Sequence, residues 1–444
     1  MTTPLPCVAL LGLLKRIAVD VTPIRVSRDF RLISIGGIIS SLGTQAVLVA
    51  LPYQIYVLSH SATLVGLLGL FELGPMVVVS LVGGAIADRM DRRPVLAVAQ
   101  LGVIVVTGLL FVLSFAVYHP PVLAILALGG LLAGCTALDG VARGSIIPGV
   151  LGSEYLRAGL TFSYGMFQAT GIIGPALAGV LIALLGGRHD LAGVRWMYLI
   201  DALSCIGMLV AALAIAPQPP HRTEGHPPVT KAIAEGLRFV VANKALAGSF
   251  VIDINAMLFG MPRALFAVLS LTVYHAGASG TGLLYTAIAI GGTLSVLASG
   301  WVQRVNYLGR LTIAMVLLWG LAIGGAGLVR SIGPAALLLG LAGWADGLSA
   351  VCRSTISQTV TPDRLRGRMS SVFSLVVTSG PRLGDIESGL VAGLAGALNS
   401  VLIGGIGCLV GVGVTVVAFP ELAAYEADVE MARMRGEEAA EAAT

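Results

Sequence analysis

GGAIADRMDRR, residues 83–93, passes from one solvent into another. Five of the six residues from Asp88 to Arg93 are charged, whereas the stretch 61–87 carries a single ionised side chain, Glu72. A surface helix of a soluble domain alternates polar and apolar faces along its whole length. An abrupt change of this kind marks a lipid–water boundary, because about 20 apolar residues cross the hydrocarbon and charge belongs outside it. Ile86 therefore closes a membrane span and Asp88 opens an aqueous loop.

The whole chain follows the same rule. Of its 444 residues 56% are hydrophobic and 11% charged, with mean hydropathy +0.93, whereas soluble domains carry about 25% charged residues. The fold class is an all-α polytopic membrane protein, since a lipid-exposed backbone must satisfy its own hydrogen bonds. The 58 glycines suit helices that pack closely where lipid supplies no hydrophobic drive between them. The net charge of +4 sits in short clusters between apolar spans, which points to topology anchors and away from nucleic acid. Cys7, Cys135, Cys205, Cys352 and Cys408 are too scattered for a metal or redox pair and read as packing residues. The six histidines fall in loops or the linker, so no metal site is expected. Lys15, Lys231 and Lys244 stand outside any phosphate-cradling GxxxxGK[ST] context, so the energy source is an ion gradient and not ATP.

A ruler of about 20 residues gives twelve spans: 30–58, 61–86, 94–117, 121–148, 161–185, 194–216, 245–274, 281–303, 311–330, 334–358, 369–395 and 397–419. They divide into a segment 1–29, a six-helix bundle 30–216, a linker 217–244, a second bundle 245–419 and an acidic tail 420–444. CVALLGLL near the start is too short for a signal peptide, and Lys15 and Arg16 follow it where they should precede it. With the N-terminus inside, 20 of the 27 basic residues face the cytoplasm. Only Arg188, Arg195 and Arg330 face out, and four lie within spans. Both termini are then cytoplasmic. In the linker Ile233, Leu237 and Val240 recur at helical spacing after a Pro-rich start, which predicts an amphipathic surface helix. The halves echo each other: SEYLRAGL at 153–160 and PDRLRGRM at 362–369 each enter the fifth span of their half. Such repeats mark transporters with a site between two bundles.

Gly84, Asp88, Arg89, Arg92 and Arg93 resemble the loop signature between the second and third helices of the major facilitator superfamily. GWVQRVNYLGR at 300–310 is a degraded copy in the second half, with the acid lost. VALPYQIY at 49–56 and GRMSSVFSLVVTSGPRLGDIESGLVAG at 367–393 resemble the enterobactin-exporter-like group of bacterial efflux proteins. The resemblance implies two six-helix bundles, a bacterial plasma-membrane location and a cytoplasmic latch in which Asp88 pairs with Arg92. GIIGPALAG at 171–179 resembles the superfamily's antiporter motif, with Gly171, Gly174 and Gly179 packing around a bend at Pro175. The resemblance also implies a cavity lined by spans 1, 4, 7 and 10. It offers Gln45, Tyr53, Gln54, Asp139, Asn255, Arg263 and Asp346 as polar points, with Arg143, Arg353 and Arg382 as further basic ones.

Charges inside the membrane cost several kcal/mol, of order 2.5–3.5 on insertion scales, and are functional candidates by default. Asp139 with Arg143 and Asp346 with Arg353 share helix faces, and Arg382 with Asp385 can pair within one turn, while Glu387 points away. Glu72 has no base within reach on its own helix and reads as a lone carboxylate, the first candidate for carrying a proton. Asp346, Asp385 and Glu387 follow it. Asp201 and Asp253 either cap or pair with neighbours.

These readings converge on a secondary transporter that exports a small amphipathic molecule in exchange for protons. Its partners are substrate, protons and lipid, and it uses no cofactor. Two alternatives stay open at this level: an importer on the same fold, and a transport-inactive sensor or partner-binding protein. An enzyme is disfavoured, because no nucleophile and base are brought together.

Overall fold

The computed structural model describes residues 20–117, 119–186, 191–218, 229–362 and 365–426. Within them it leaves aside the side chains of 81, 84–89, 229–232, 303, 366, 367, 370 and 371. The expectations for the extreme N-terminus, the Pro-rich linker and the acidic tail beyond Glu426 lie outside the described residues, as do those for the side chains of Gly84, Asp88 and Arg89.

All regular structure among the described residues is helical. A short α1 (Thr22–Val26) leads into α2 (Arg28–Ser59), α3 (Ala62–Arg89), α4 (Arg92–Ala116), α5 (Val122–Val150), α6 (Ser153–Gly186) and α7 (Ala192–Ala214). The linker contributes α8 (Val229–Ala242), the amphipathic helix expected there. Then follow α9 (Lys244–Phe259), α10 (Leu265–Thr272), α11 (Gly277–Leu297), a 3₁₀ turn at Ser299–Arg304, α12 (Leu308–Ala326), α13 (Ile332–Val360), α14 (Arg366–Ala395), α15 (Ala397–Ala418) and a terminal turn α16 (Pro420–Ala423). Helices α2–α7 pack mainly on one another, as do α9–α15, and the two groups meet where α3 crosses α14 and α6 crosses α11. Among the described residues ten helices are long and apolar enough to cross a membrane. Leu394, Val417 and Leu337 are 92%, 84% and 77% exposed, an arrangement that costs nothing in lipid. The chain is an integral membrane protein.

The two expected spans missing from those ten explain themselves. Helix α14 carries Arg382, Asp385 and Glu387 in its second half. The span expected at 245–274 is broken instead of continuous: α9 ends at Phe259 and α10 starts at Leu265. Pro262 cannot donate to the helix ladder, and it disfavours helical geometry at Met261 before it. Gly260–Met261–Pro262 was the legible signal. A break inside a membrane survives only where other groups satisfy the freed backbone. Here Trp319 Nε1 donates to the Gly260 carbonyl at 2.9 Å, Tyr285 OH to the Arg263 carbonyl at 3.2 Å, and the Ala264 N–H donates to Asp385 Oδ1 at 2.9 Å.

At the start of α4, Arg92 Nη1 donates to the Ser145 carbonyl at 3.1 Å. Its partner among the described residues is thus a backbone oxygen; the expected pairing with Asp88 lies outside the described side chains. Asp91, which the motif reading passed over, is the N-cap of α4: its Oδ1 accepts the N–H of Arg93 at 3.0 Å and of Gln218 at 3.2 Å, and its Oδ2 meets Arg93 Nη2 at 3.0 Å. Partial burial works to raise the Asp91 carboxyl, but these hydrogen bonds and the Arg93 charge outweigh it and hold the group below the ordinary carboxylate range. A depressed carboxylate adds stability that is present above its unfolded value, about pH 4, and is lost as the pH falls through the folded one. Asp91→Ala is therefore expected to lower thermal stability in detergent by about 1 kcal/mol at pH 7, the usual worth of an N-cap. The gap from the parent should narrow below about pH 4. An undiminished gap at pH 3 would show that the charge of Asp91 contributes nothing.

Candidate functional site

The closest approaches between the two groups of helices among the described residues, at Gly66, Gly69, Gly179 and Gly282, lie away from Arg92 and Arg93. They are possible because glycines stand at the crossings. A methyl group added to Gly66 of α3 would fall 2.7 Å from the Asp385 carbonyl and from Gly389 Cα on α14; one on Gly69 would fall 2.7 Å from the Arg382 carbonyl. On the other seam a methyl on Gly282 of α11 would fall 2.4 Å from the Pro175 carbonyl, and one on Gly179 would fall 2.7 Å from that of Ala278. Helix α6 runs on through Pro175. Pro175 and Gly179 of the antiporter-like stretch thus form this seam, while Gly171 and Gly174 face Gln45 of α2. Thr286 Oγ1 donates to the Ile172 carbonyl at 3.3 Å, and Gln168 Nε2 to Thr293 Oγ1 at 3.4 Å, across the same crossing.

Buried in the α3–α14 crossing is a cluster of three charges. Arg382 Nη1 lies 2.7 Å from Glu72 Oε2 and 3.6 Å from Asp385 Oδ2. Glu72 is 7% exposed and Asp385 6%. Glu72 is therefore not the lone carboxylate that sequence suggested. Its base comes from the opposite group of helices, a partner 310 positions away that no spacing rule on α3 could supply. Among the described residues this is the one ion pair joining the two groups. Arg263, at the break between α9 and α10, makes no ion pair among the described residues, yet lies close enough for its charge to act on both Asp385 and Asp346. Glu387 is half-buried on α14 and stands apart from the cluster.

Two more networks occupy the interiors of the two groups. In α9–α15, Arg353 Nη2 meets Asp253 Oδ1 at 2.9 Å and Asp346 Oδ1 at 3.8 Å, and Arg353 Nη1 donates to Ser349 Oγ at 2.8 Å. Asp346 and Arg353 share a face as expected, but the nearer partner is Asp253, on another helix. In α2–α7, Arg143 Nη2 lies 2.8 Å from Asp139 Oδ2 and donates to Ser40 Oγ at 3.2 Å, while Gln100 Nε2 donates to Asp139 Oδ1 at 2.7 Å. Arg143 also lines a pocket of about 120 Å³ with Ile33, Phe162, Met166 and Phe167.

Three residues expected on the cavity wall lie elsewhere. Tyr53 and Gln54 are 0% exposed; Gln54 donates to Ser114 Oγ at 2.8 Å and accepts from Tyr198 OH at 2.5 Å. Asn255 donates to the Cys408 carbonyl at 2.9 Å. The two amides, Gln54 and Asn255, tie helices together inside a group, because a buried amide without partners costs about 1–3 kcal/mol. Sequence spacing assigns these residues to their helices but not to the face they present.

Comparison with known proteins agrees with this architecture. The chain is 28% identical over 383 residues to the enterobactin exporter EntS of Citrobacter koseri, covering 86% of this chain and 89% of that protein. A POT family transporter in complex with 5-aminolevulinic acid superposes with TM-score 0.68 at 13% identity, over 89% of this chain and 97% of that one. A mutant of the nucleoside transporter NupG gives TM-score 0.69 at 16% identity, over 88% and 100%. Residues 19–442 match the family described as transmembrane secretion effector. With twelve expected spans, ten of them apolar helices by length and composition, glycine-lined crossings and near full-length similarity to an exporter, the chain belongs to the transmembrane secretion effector family of major facilitator superfamily transporters.

Proposed function

We propose that this transporter exports a small amphipathic molecule of siderophore or lipophilic-drug chemistry in exchange for protons, by alternating access in a bacterial inner membrane. The observation that carries this reading is the Glu72–Arg382–Asp385 cluster, an ionisable bridge between the two moving halves placed inside their seal. The distribution of arginines puts the basic loops and both termini in the cytoplasm. The seal then faces outward, and the protein is poised to load from the cytoplasm as an exporter must. A cationic group beside Phe162 and Phe167 suits an anionic aromatic ligand, and the relative from Citrobacter koseri is named an enterobactin exporter.

Coupling follows from the charges. A proton reaching Glu72 from outside cancels its attraction to Arg382, while Asp385 on the same helix keeps Arg382 neutralised. The bridge between halves weakens without leaving a buried charge alone, and the outer seal can part. The test is proton-driven transport in proteoliposomes against a panel of siderophores and cationic drugs. Glu72→Gln is expected to abolish the response of the rate to an imposed pH gradient. A variant with the parent's pH dependence would remove Glu72 from this role, and accumulation in right-side-out but not inside-out vesicles would make the protein an importer.

A further inference from the structure

Asp201, on α7, takes no part in the networks above. It is 0% exposed, faces α2 inside the first group of helices, and among the described residues has no basic side chain within ion-pair distance. Its Oδ2 is buried without any hydrogen-bond partner. Its Oδ1 lies 3.3 Å from Thr44 Oγ1 and 3.7 Å from Cys205 Sγ. Gly43 lets α2 approach: a methyl group there would fall 2.7 Å from Oδ1 and 2.3 Å from Ser204 Oγ. An ionised carboxylate held this way, in a membrane-embedded bundle with one weak thiol donor and one shared hydroxyl, carries a desolvation cost of several kcal/mol that nothing nearby offsets.

The hydroxyl count points the same way. Thr44 has one proton and two oxygens in range, Asp201 Oδ1 and the Ser40 carbonyl at 3.1 Å. One proton cannot serve both acceptors fully, and where it goes to the nearer Ser40 carbonyl the contact with Asp201 needs its donor on the carboxyl group. Ser204 gives no help, because its hydroxyl donates to the Asp201 backbone carbonyl at 2.8 Å.

We propose that Asp201 is a proton-binding site held as a neutral carboxylic acid, with Oδ1–H donating to Thr44 and Thr44 donating to Ser40. Ser40 Oγ accepts from Arg143, which pairs with Asp139. Ser40 thus stands between the acid and the pocket lined by Arg143, its carbonyl turned to Thr44 and its Oγ to Arg143. The ionisable groups facing the site are Asp139 and Arg143 on α5 and Cys205 on α7 itself. Helices α2 and α4 present hydroxyls and Gln100, and their arginines stand at the basic end with Glu154 and Arg157 of α6. This proposal does not rest on the export reading, and its test involves no transport.

Infrared difference spectra of the full-length protein in liposomes, taken in water and in heavy water at neutral pH, decide it. The parent is expected to show the carbonyl stretch of a protonated carboxyl group, sensitive to deuterium. Asp201→Asn, which has the shape of the neutral acid and should keep the fold, is expected to lose that contribution. Thr44→Val removes the acceptor at constant volume and is expected to move the band to higher frequency. A protonated-carboxyl region unchanged by both substitutions overturns the proposal, as does thermal stabilisation by sodium that Asp201→Asn abolishes, since a bound cation would then hold the charge. Should Asp201→Asn fail to fold, the Thr44→Val shift alone decides.

Discussion

Arg382→Met is expected to destabilise the folded protein by about 3–5 kcal/mol, the cost of removing one partner from a buried ionic group. Glu72 and Asp385, 7% and 6% exposed, would lose the only base in contact with them among the described residues. Arg382 itself keeps 26% side-chain exposure, so water already reaches part of the cluster and the lower end of the range is the better guide. The loss carries a pH signature. Without the guanidinium, the two acids stay buried most easily by binding protons, so the folded state holds more protons than the unfolded one and stability falls as pH rises. Thermal unfolding in detergent should therefore separate parent and variant least at low pH and most above neutrality. The combined change Glu72→Gln, Arg382→Met and Asp385→Asn should recover most of the loss, because it removes every charge together. Failure of that variant to recover would mean that the cluster matters through packing and not through charge.

Gly282→Val is expected to have the second large effect, on conformation more than on folding. Its Cβ would meet backbone on both sides, the Pro175 carbonyl at 2.4 Å and Gly179 Cα at 3.0 Å, and backbone cannot rotate aside. Overpacking of this kind costs about 1–3 kcal/mol, and the cost falls only on the state in which α6 and α11 touch. A penalty of that size moves the ratio of sealed to open molecules by roughly 5- to 150-fold. Maleimide labelling of a cysteine placed at Thr286, buried within that crossing, should accelerate accordingly from the side that the seal now closes. An unchanged labelling rate in a folded variant would show that this crossing does not hold the end shut. The same reasoning applies to Gly389, whose added methyl would fall 2.5 Å from Gly66 Cα.

The membrane spans and the loop motif could be read from the chain because they depend on local quantities: runs of apolar residues, punctuation by arginine, and helix-period spacing. Spacing found Asp139 with Arg143 and Arg382 with Asp385, since partners three or four residues apart on one helix must share a face. It could not find Glu72 with Arg382, Asp253 with Arg353, or Thr44 with Asp201, because each of these joins two helices. Nor could it tell that Gln54 and Asn255 look into helix packing and not into a cavity, since a uniformly apolar helix carries little amphipathic signal to set its rotation. The break at Gly260–Ala264 lies between the two cases: Pro262 is a local signal for it, although the span 245–274 was expected to be continuous, but which groups satisfy the freed backbone depended on Trp319, Tyr285 and Asp385 arriving from elsewhere.

By itself, then, the sequence determined the solvent, most of the helices and their order, because hydrocarbon penalises every exposed charge and every unpaired backbone group residue by residue. The tertiary structure alone decided which charges neutralise one another and which end of the protein is closed, because those depend on how helices far apart in the chain are turned and how near their glycines let them come.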